Sequence, residues 1–219
     1  MQLTLFGTQD LISTNQSVGN ANVISDLLKI TGLTYRPDFL SNDEHSKLWN
    51  IIRQQSWLGD IKRRVQHYGW KYDYKARSID YSMYLGELPY WAKEIALRLK
   101  SEGYMPEVPD QLIVNEYQPG QGIANHIDCE PCFGNTIISI SLGAPIVMDF
   151  IQKRSREKID VLLEPRSLTV VQDESRYQWT HGIAARKTDQ FHGRKFERQL
   201  RISLTFRKVI LNSCEIPNS

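Results

Sequence analysis

"NEYQPGQGIANHIDCEPCFG", residues 115–134, separates two apolar, β-rich runs, "QLIVNEYQ" before it and "TIISISLG" after it. Gln118-Pro119-Gly120 breaks the first run as a turn does. Side chains at i and i+2 of a strand project to one side, so His126 and Asp128 can bite one ion together from a strand end. An H-x-D triplet is common in loops, and a third ligand must come from elsewhere.

The surrounding pattern has a period of two. "PIVMDFIQ", "IDVLLE", "SLTVVQ" and "LRISLTFRKV" continue the series of short β-rich runs, punctuated at "LGAP", "QKRSREK" and "EPRS". Many short strands of this kind predict a mainly β fold, a sandwich, jelly roll or barrel, with helices packed outside. Two helices precede them. In "FLSNDEHSKLWNIIRQQS", Ser41 and Glu44 form a capping box and Leu48, Ile51 and Ile52 line one face, predicting a helix over 42–55. "LPYWAKEIALRLKSEG" starts at Pro89, carries Trp91, Ile95 and Leu99 as a stripe, and stops at Gly103. Residues 1–35 show no clear period and read as an arm on a single domain, 1–219.

Composition excludes little. The chain has 219 residues, 41% hydrophobic and 24% charged, ordinary for a globular domain with a real core. A formal charge of +2 gives no global pull toward polyanions, so nucleic-acid binding would need locally clustered cations. No run is long and apolar enough to span a bilayer, and the N-terminus lacks a signal pattern; a cytoplasmic, monomeric protein without membrane attachment is expected. Three cysteines suit a reducing compartment. Cys129 and Cys132 form a C-x-x-C, but zinc needs two further ligands, and plain reduced thiols are expected.

His181, in "ESRYQWTHGI", lies on another β-type segment that a closed sheet could bring opposite His126. Two His and one carboxylate on one face, with other positions open, is the donor set of non-haem Fe(II) oxygenases. On the last strand Arg201, Ser203, Thr205 and Arg207 share one face while Ile202, Leu204 and Phe206 share the other. Two arginines ending a polar face can hold a short dicarboxylate, since the planar guanidinium binds carboxylate bidentately. Asn115 and Tyr117 put an amide and a phenol on one face upstream of the H-x-D.

Together, N-x-Y, H-x-D, the distal His and R-x-x-x-T-F-R resemble the AlkB family of Fe(II)- and 2-oxoglutarate-dependent dioxygenases, over residues 57–209. The resemblance implies a double-stranded β-helix (jelly-roll) core, with His126, Asp128 and His181 as iron ligands. It also implies that Asn115, Tyr117, Arg201 and Arg207 bind 2-oxoglutarate with support from Thr205. Ser203 departs from the Asn of the bacterial pattern. The family chemistry consumes 2-oxoglutarate and O2, and an N-alkyl group is oxidised and shed as formaldehyde.

"WLGDIKRRVQHYGWKYDYKARSID" mixes rings and cations. If extended, it would put Trp70, Tyr72 and Tyr74 on one face, with Lys62, Arg63 and Arg64 just before them. Rings stack on bases and cations neutralise phosphates, and the stretch resembles the nucleotide-recognition lid of AlkB proteins, placed at 57–85; Tyr68 belongs to it. An edge hairpin whose rings pack on the core is the alternative. Glu130, two positions past Asp128, stands where several AlkB dealkylases carry an acid that accepts from an exocyclic base amine; a solvent-facing carboxylate is the alternative. "RKTDQFHGRKFERQLR", 186–201, reads as a basic, solvated loop, with His192 in it and no strand around.

The leading expectation is dealkylation of N-methylated bases in DNA or RNA, as in alkylation repair. "RRVQHYGW", "YQPGQGIANHID", "SLGAPIVMDF" and "ESRYQWTHGI" are also similar to family members that hydroxylate a wobble uridine side chain in tRNA. Glu130 tilts the reading toward dealkylation. A non-catalytic nucleic-acid-binding module would be expected to lack a metal ligand or an arginine, and none is missing. Protein or small-molecule hydroxylation on the same core leaves the lid unexplained.

Overall fold

A computed structural model describes residues 29–59 and 62–211; most of the expected N-terminal arm lies outside them. Strand β1 (Leu33–Arg36) is followed by helix α1 (Asn42–Gln54), β2 (Val65–Tyr68), a 3-10 turn (Tyr81–Met83) and α2 (Tyr90–Ser101). Then come β3 (Gln111–Tyr117), β4 (Ile123–His126), β5 (Phe133–Gly143), β6 (Ile146–Gln152), β7 (Lys158–Leu163) and β8 (Leu168–Val171). A short α3 (Asp173–Tyr177) leads to β9 (Trp179–Ile183), the pair β10 (Thr188–Phe191) and β11 (Arg194–Glu197), and β12 (Arg201–Val209).

The strands pair antiparallel as a six-stranded sheet, β1-β8-β5-β12-β3-β2, and a four-stranded one, β4-β9-β6-β7. A jelly-roll cavity opens between them. The alternation read in β12 decides what each face of the larger sheet does. Ile202, Leu204 and Phe206, all fully buried, join Leu112, Val114, Ile138 and Ile140 beneath α1 and α2. Those helices contribute Leu48, Ile52, Ala92, Ile95 and Leu99 to the same layer. At about 1.5–3 kcal/mol per fully buried large aliphatic side chain, this layer clamps the sheet from outside. The opposite face carries Arg201, Ser203, Thr205 and Arg207 into the space between sheets.

Both predicted helices form. Ser41 Oγ accepts from Glu44 N at 3.2 Å and Glu44 Oε2 accepts from Ser41 N at 2.7 Å, the reciprocal box read from the sequence. Three local expectations give way. Residues 65–68 are an edge strand of the main sheet, so the segment 57–85 is only partly a lid. Beyond it Trp70, Tyr72 and Tyr74 do not share a face, because Asp73 Oδ1 accepts from the Lys75 and Ala76 amides and turns the chain over 73–78. The expected loop at 186–201 contains the β10–β11 hairpin, closed by His192-Gly193, both at positive φ. Two consecutive residues of that hand suit the twist of a two-residue hairpin, which an H-G pair signals less plainly than N-G.

Candidate active site

β4 and β9 pair so that His126 lies directly opposite His181. Their rings stand 4.6 Å apart, centroid to centroid. Asp128 follows just past the end of β4, and one donor atom from each of the three residues falls within 4.8 Å of the others. His126 Nδ1 is 2.9 Å from the Ala124 carbonyl, the distance of an N–H donating to it, which leaves the Nε2 lone pair for an ion. His181 Nε2 lies 3.5 Å from Asp128 Oδ2.

Electrostatics prepares these groups as ligands. Burial, aided by the neighbouring His126, pushes the His181 imidazole down to about 3, so it is neutral and has a lone pair at physiological pH. Burial alone would raise the Asp128 carboxyl. Arg207, His181, His126 and Arg176 together outweigh that and hold it well below the ordinary carboxylate range. Two neutral imidazoles and an ionised carboxylate fit a divalent ion of the Fe(II) type.

Arg207 reaches Asp128 Oδ1 through Nε at 2.9 Å and Nη2 at 2.6 Å, tying β12 to the loop after β4. Behind that loop sits Arg176, which sequence reading missed. It is 2% exposed and donates from Nη1 to the Asp128 carbonyl at 3.0 Å and from Nη2 to the Cys129 carbonyl at 3.3 Å. A cation in "ESRY" gives no local sign that it will be buried.

The cavity, about 900 Å³, is lined by His126, Asp128 and His181 and by all five residues expected around the co-substrate, Asn115, Tyr117, Arg201, Thr205 and Arg207. Arg201 is 1% exposed; Nη2 donates to Ser141 Oγ at 2.9 Å, while Nε and Nη1 have no hydrogen-bond partner. Burial lowers this guanidinium to about 10, still charged at neutral pH. A buried cation with two unpaired donors is costly unless a carboxylate completes it, and the Arg201 end of the cavity therefore fits an acid such as 2-oxoglutarate. Thr169 Oγ1, also buried and unpaired, lines the same wall. Ser203 and Ser139 share a hydrogen bond at 2.9 Å there.

Of the expected substrate contacts, the structure brings Arg63, Tyr72 and Tyr74 to the cavity, with Lys62 and Arg77 beside them. Arg63 Nε donates to Asn115 Oδ1 at 2.8 Å. Arg64 turns away to a bidentate pair with Glu116, Tyr68 packs on Trp91, and Trp70 packs on Tyr84. Glu130 is exposed and is absent from the cavity wall.

Cys129 and Cys132, expected as thiols, are joined as a disulfide, their Cα atoms 5.3 Å apart. The turn in which the Cys132 amide donates to the Cys129 carbonyl at 3.3 Å brings them together. Among the described residues no helix is long and apolar enough to cross a membrane.

Comparison with known proteins agrees with this architecture. Residues 20–207 match the model of the 2OG-Fe(II) oxygenase superfamily. An uncharacterised protein, L905, of Acanthamoeba polyphaga mimivirus is 34% identical over 83% of this chain and 86% of its own length. The mouse tRNA (carboxymethyluridine(34)-5-O)-methyltransferase ALKBH8 is 38% identical over 84% of this chain, which spans only 31% of that protein. Among solved structures OsALKBH1 superposes with a TM-score of 0.58 at 18% identity, covering 81% of this chain and 96% of that one, a likeness of fold. The chain belongs to the 2OG-Fe(II) oxygenase superfamily and, within it, to the AlkB family of oxidoreductases, which work with Fe(II), 2-oxoglutarate and O2.

Proposed function

We propose that this enzyme oxidises a carbon substituent on an RNA base, and that the substituent is the side chain at C5 of a wobble uridine in tRNA. The observation that carries this is the composition of the cavity rim. Lys62, Arg63 and Arg77 line it with Tyr72 and Tyr74, whereas Glu130 stands outside it. N-dealkylation rested on Glu130 as acceptor for the exocyclic amine of adenine or cytosine. Uridine has no such amine and needs no such acid. A carboxymethyl substituent, the group named for the mouse relative, would carry its charge toward the rim cations.

In this reading His126, Asp128 and His181 hold the iron, and Arg201 takes one carboxylate of 2-oxoglutarate on the two donors that have no other partner. Iron and 2-oxoglutarate, when bound, supply the oxidation of an unactivated carbon. The chain's own residues do the rest. Arg207 keeps the Asp128 carboxylate ionised and aimed, the Ala124 carbonyl fixes the His126 tautomer, and Tyr72 and Tyr74 offer ring faces and edges to a base. The cavity is of the size that holds a co-substrate and a base together.

The test is incubation with Fe(II), 2-oxoglutarate and anticodon stem-loop RNAs bearing 5-carboxymethyluridine or its methyl ester, beside oligonucleotides bearing 1-methyladenine or 3-methylcytosine. Mass spectrometry should show one oxygen atom added to the uridine side chain. Loss of methyl groups from the methylated bases, with the uridine untouched, would return the function to dealkylation.

A further inference from the structure

We propose that hairpin β10–β11 is a second nucleic-acid contact, a basic arm that takes backbone phosphates of an RNA whose target base occupies the cavity; the proposal rests on the base-oxidising reading above. The hairpin grows directly from the cavity wall. Ala184 and Ala185 line the cavity, and the chain passes from them through Arg186 and Lys187 into β10. At that junction the Gly120 amide donates to the Arg186 carbonyl at 3.2 Å, and Gln121 donates from Nε2 to the Lys62 carbonyl at 2.8 Å. Lys62, Arg63 and the root of the hairpin therefore share one rim.

The arm is fixed at its root. The buried carboxylate of Asp189, on β10, accepts from Arg198 Nε at 2.7 Å and Nη2 at 2.8 Å, from Arg186 Nε at 2.6 Å and from the Val147 amide at 3.1 Å. Arg198 also donates to the carbonyls of Ala184 and Gln121. This network anchors the hairpin to β6 and to the cavity wall, so the tip is held in place before any ligand arrives, and less entropy is lost on binding.

What the arm presents is cationic. Asp189 is consumed by Arg186 and Arg198, and among the described residues Lys187, Arg194 and Lys195 make no ion pair; all three are exposed. Arg194 sits opposite Phe191, whose ring lies 4.3 Å from that of His192. Cations beside half-exposed rings suit a flexible or looped nucleic acid, where phosphates are neutralised and bases stack. Three residue steps of strand carry Arg194 and Lys195 about 10 Å outward from the root, to phosphates beyond the one next to the target base.

The test compares the full chain with the double variant R194E/K195E, binding a fluorescein-labelled anticodon stem-loop RNA and a labelled uridine trinucleotide at several salt concentrations. The variant should bind the stem-loop at least tenfold more weakly, and the slope of log Kd against log salt should shrink by roughly 1.4, two lost contacts at about 0.7 each. Trinucleotide affinity and 2-oxoglutarate turnover without RNA should not change, which shows an intact fold. The charge-keeping swap R194K/K195R should restore stem-loop binding. Equal stem-loop affinity and slope in the wild type and R194E/K195E would overturn the arm while leaving the base-oxidising site standing. If the wild-type chain binds neither RNA, that site reading falls and the arm falls with it.

Discussion

Arg207 places Nε and Nη2 on the same oxygen of Asp128, Oδ1, at 2.9 and 2.6 Å, and so leaves Oδ2 turned toward His181. The guanidinium that sequence reading gave to the co-substrate thus also holds a proposed metal ligand. Removing it strands a buried carboxylate. Arg207→Ala should cost about 3–5 kcal/mol of stability in the metal-free protein, measured by urea unfolding. A divalent ion replaces the lost positive charge, so saturating Mn(II) should stabilise the variant more than the wild type. Equal stabilisation of both would show that Arg207 does not serve the carboxylate.

Acid should destabilise the metal-free protein earlier than carboxylate titration alone would. His181 has a folded value of about 3 against 6.5 as its ordinary value, so on acidification the unfolded chain takes up this proton first. Stability is complete above about pH 6.5 and falls by about 1.4 kcal/mol for each unit below it. Asp128, held below its ordinary range, adds a loss of the same sign once pH drops below about 4. Urea midpoints across this range should flatten in His181→Asn; an unchanged slope would place the titrating group elsewhere.

Gly182 lies beside His181 on β9, and a Cβ there would run into the Asn125 side-chain oxygen and sit 2.9 Å from Asn125 Cα. Gly182→Ala must push β4 away from β9, the ladder that sets His126 against His181. Mn(II) affinity, read by calorimetry, should fall at least tenfold with the fold retained, by analogy with the sensitivity of metal sites to their supporting contacts. Wild-type affinity would mean that Asn125 yields without moving the strand.

Arg201→Ala removes two unpaired buried donors that the proposed co-substrate would satisfy. A hydrogen bond to a charged group contributes about 1.5–3 kcal/mol, so KM for 2-oxoglutarate should rise at least tenfold. Succinate formation measures it, and an unchanged KM would remove Arg201 from the co-substrate site.

Glu130→Ala should leave both RNA-free 2-oxoglutarate turnover and base oxidation within about twofold, as for most exposed positions. Tyr72→Ala, by contrast, should weaken the RNA substrate by about 1–3 kcal/mol if its ring stacks on the base. A selective loss of base oxidation in Glu130→Ala would restore that carboxylate as a reader of the base.

Local chemistry alone determined much of this protein. The Ser41–Glu44 box, the Pro89 start and the alternation of β12 are short-range patterns, and each dictates its element because caps and pleats act over a few residues. The H-x-D pair and the two-faced β12 were legible for the same reason, down to which residues face the cavity. Tertiary structure decided what depends on register and turn direction. Only the β4–β9 pairing brings His181, 55 positions from His126, into one ligand set. Only the turn over residues 129–132 leaves Glu130 outside and joins Cys129 to Cys132. The Asp73 turn separates Trp70 from Tyr72 and Tyr74, and the clamp on Asp189 makes an arm of what composition presents as a solvated loop. A chain's periodicity states which way a side chain points from its own strand; what it meets there is set by the long-range pairing of that strand with others.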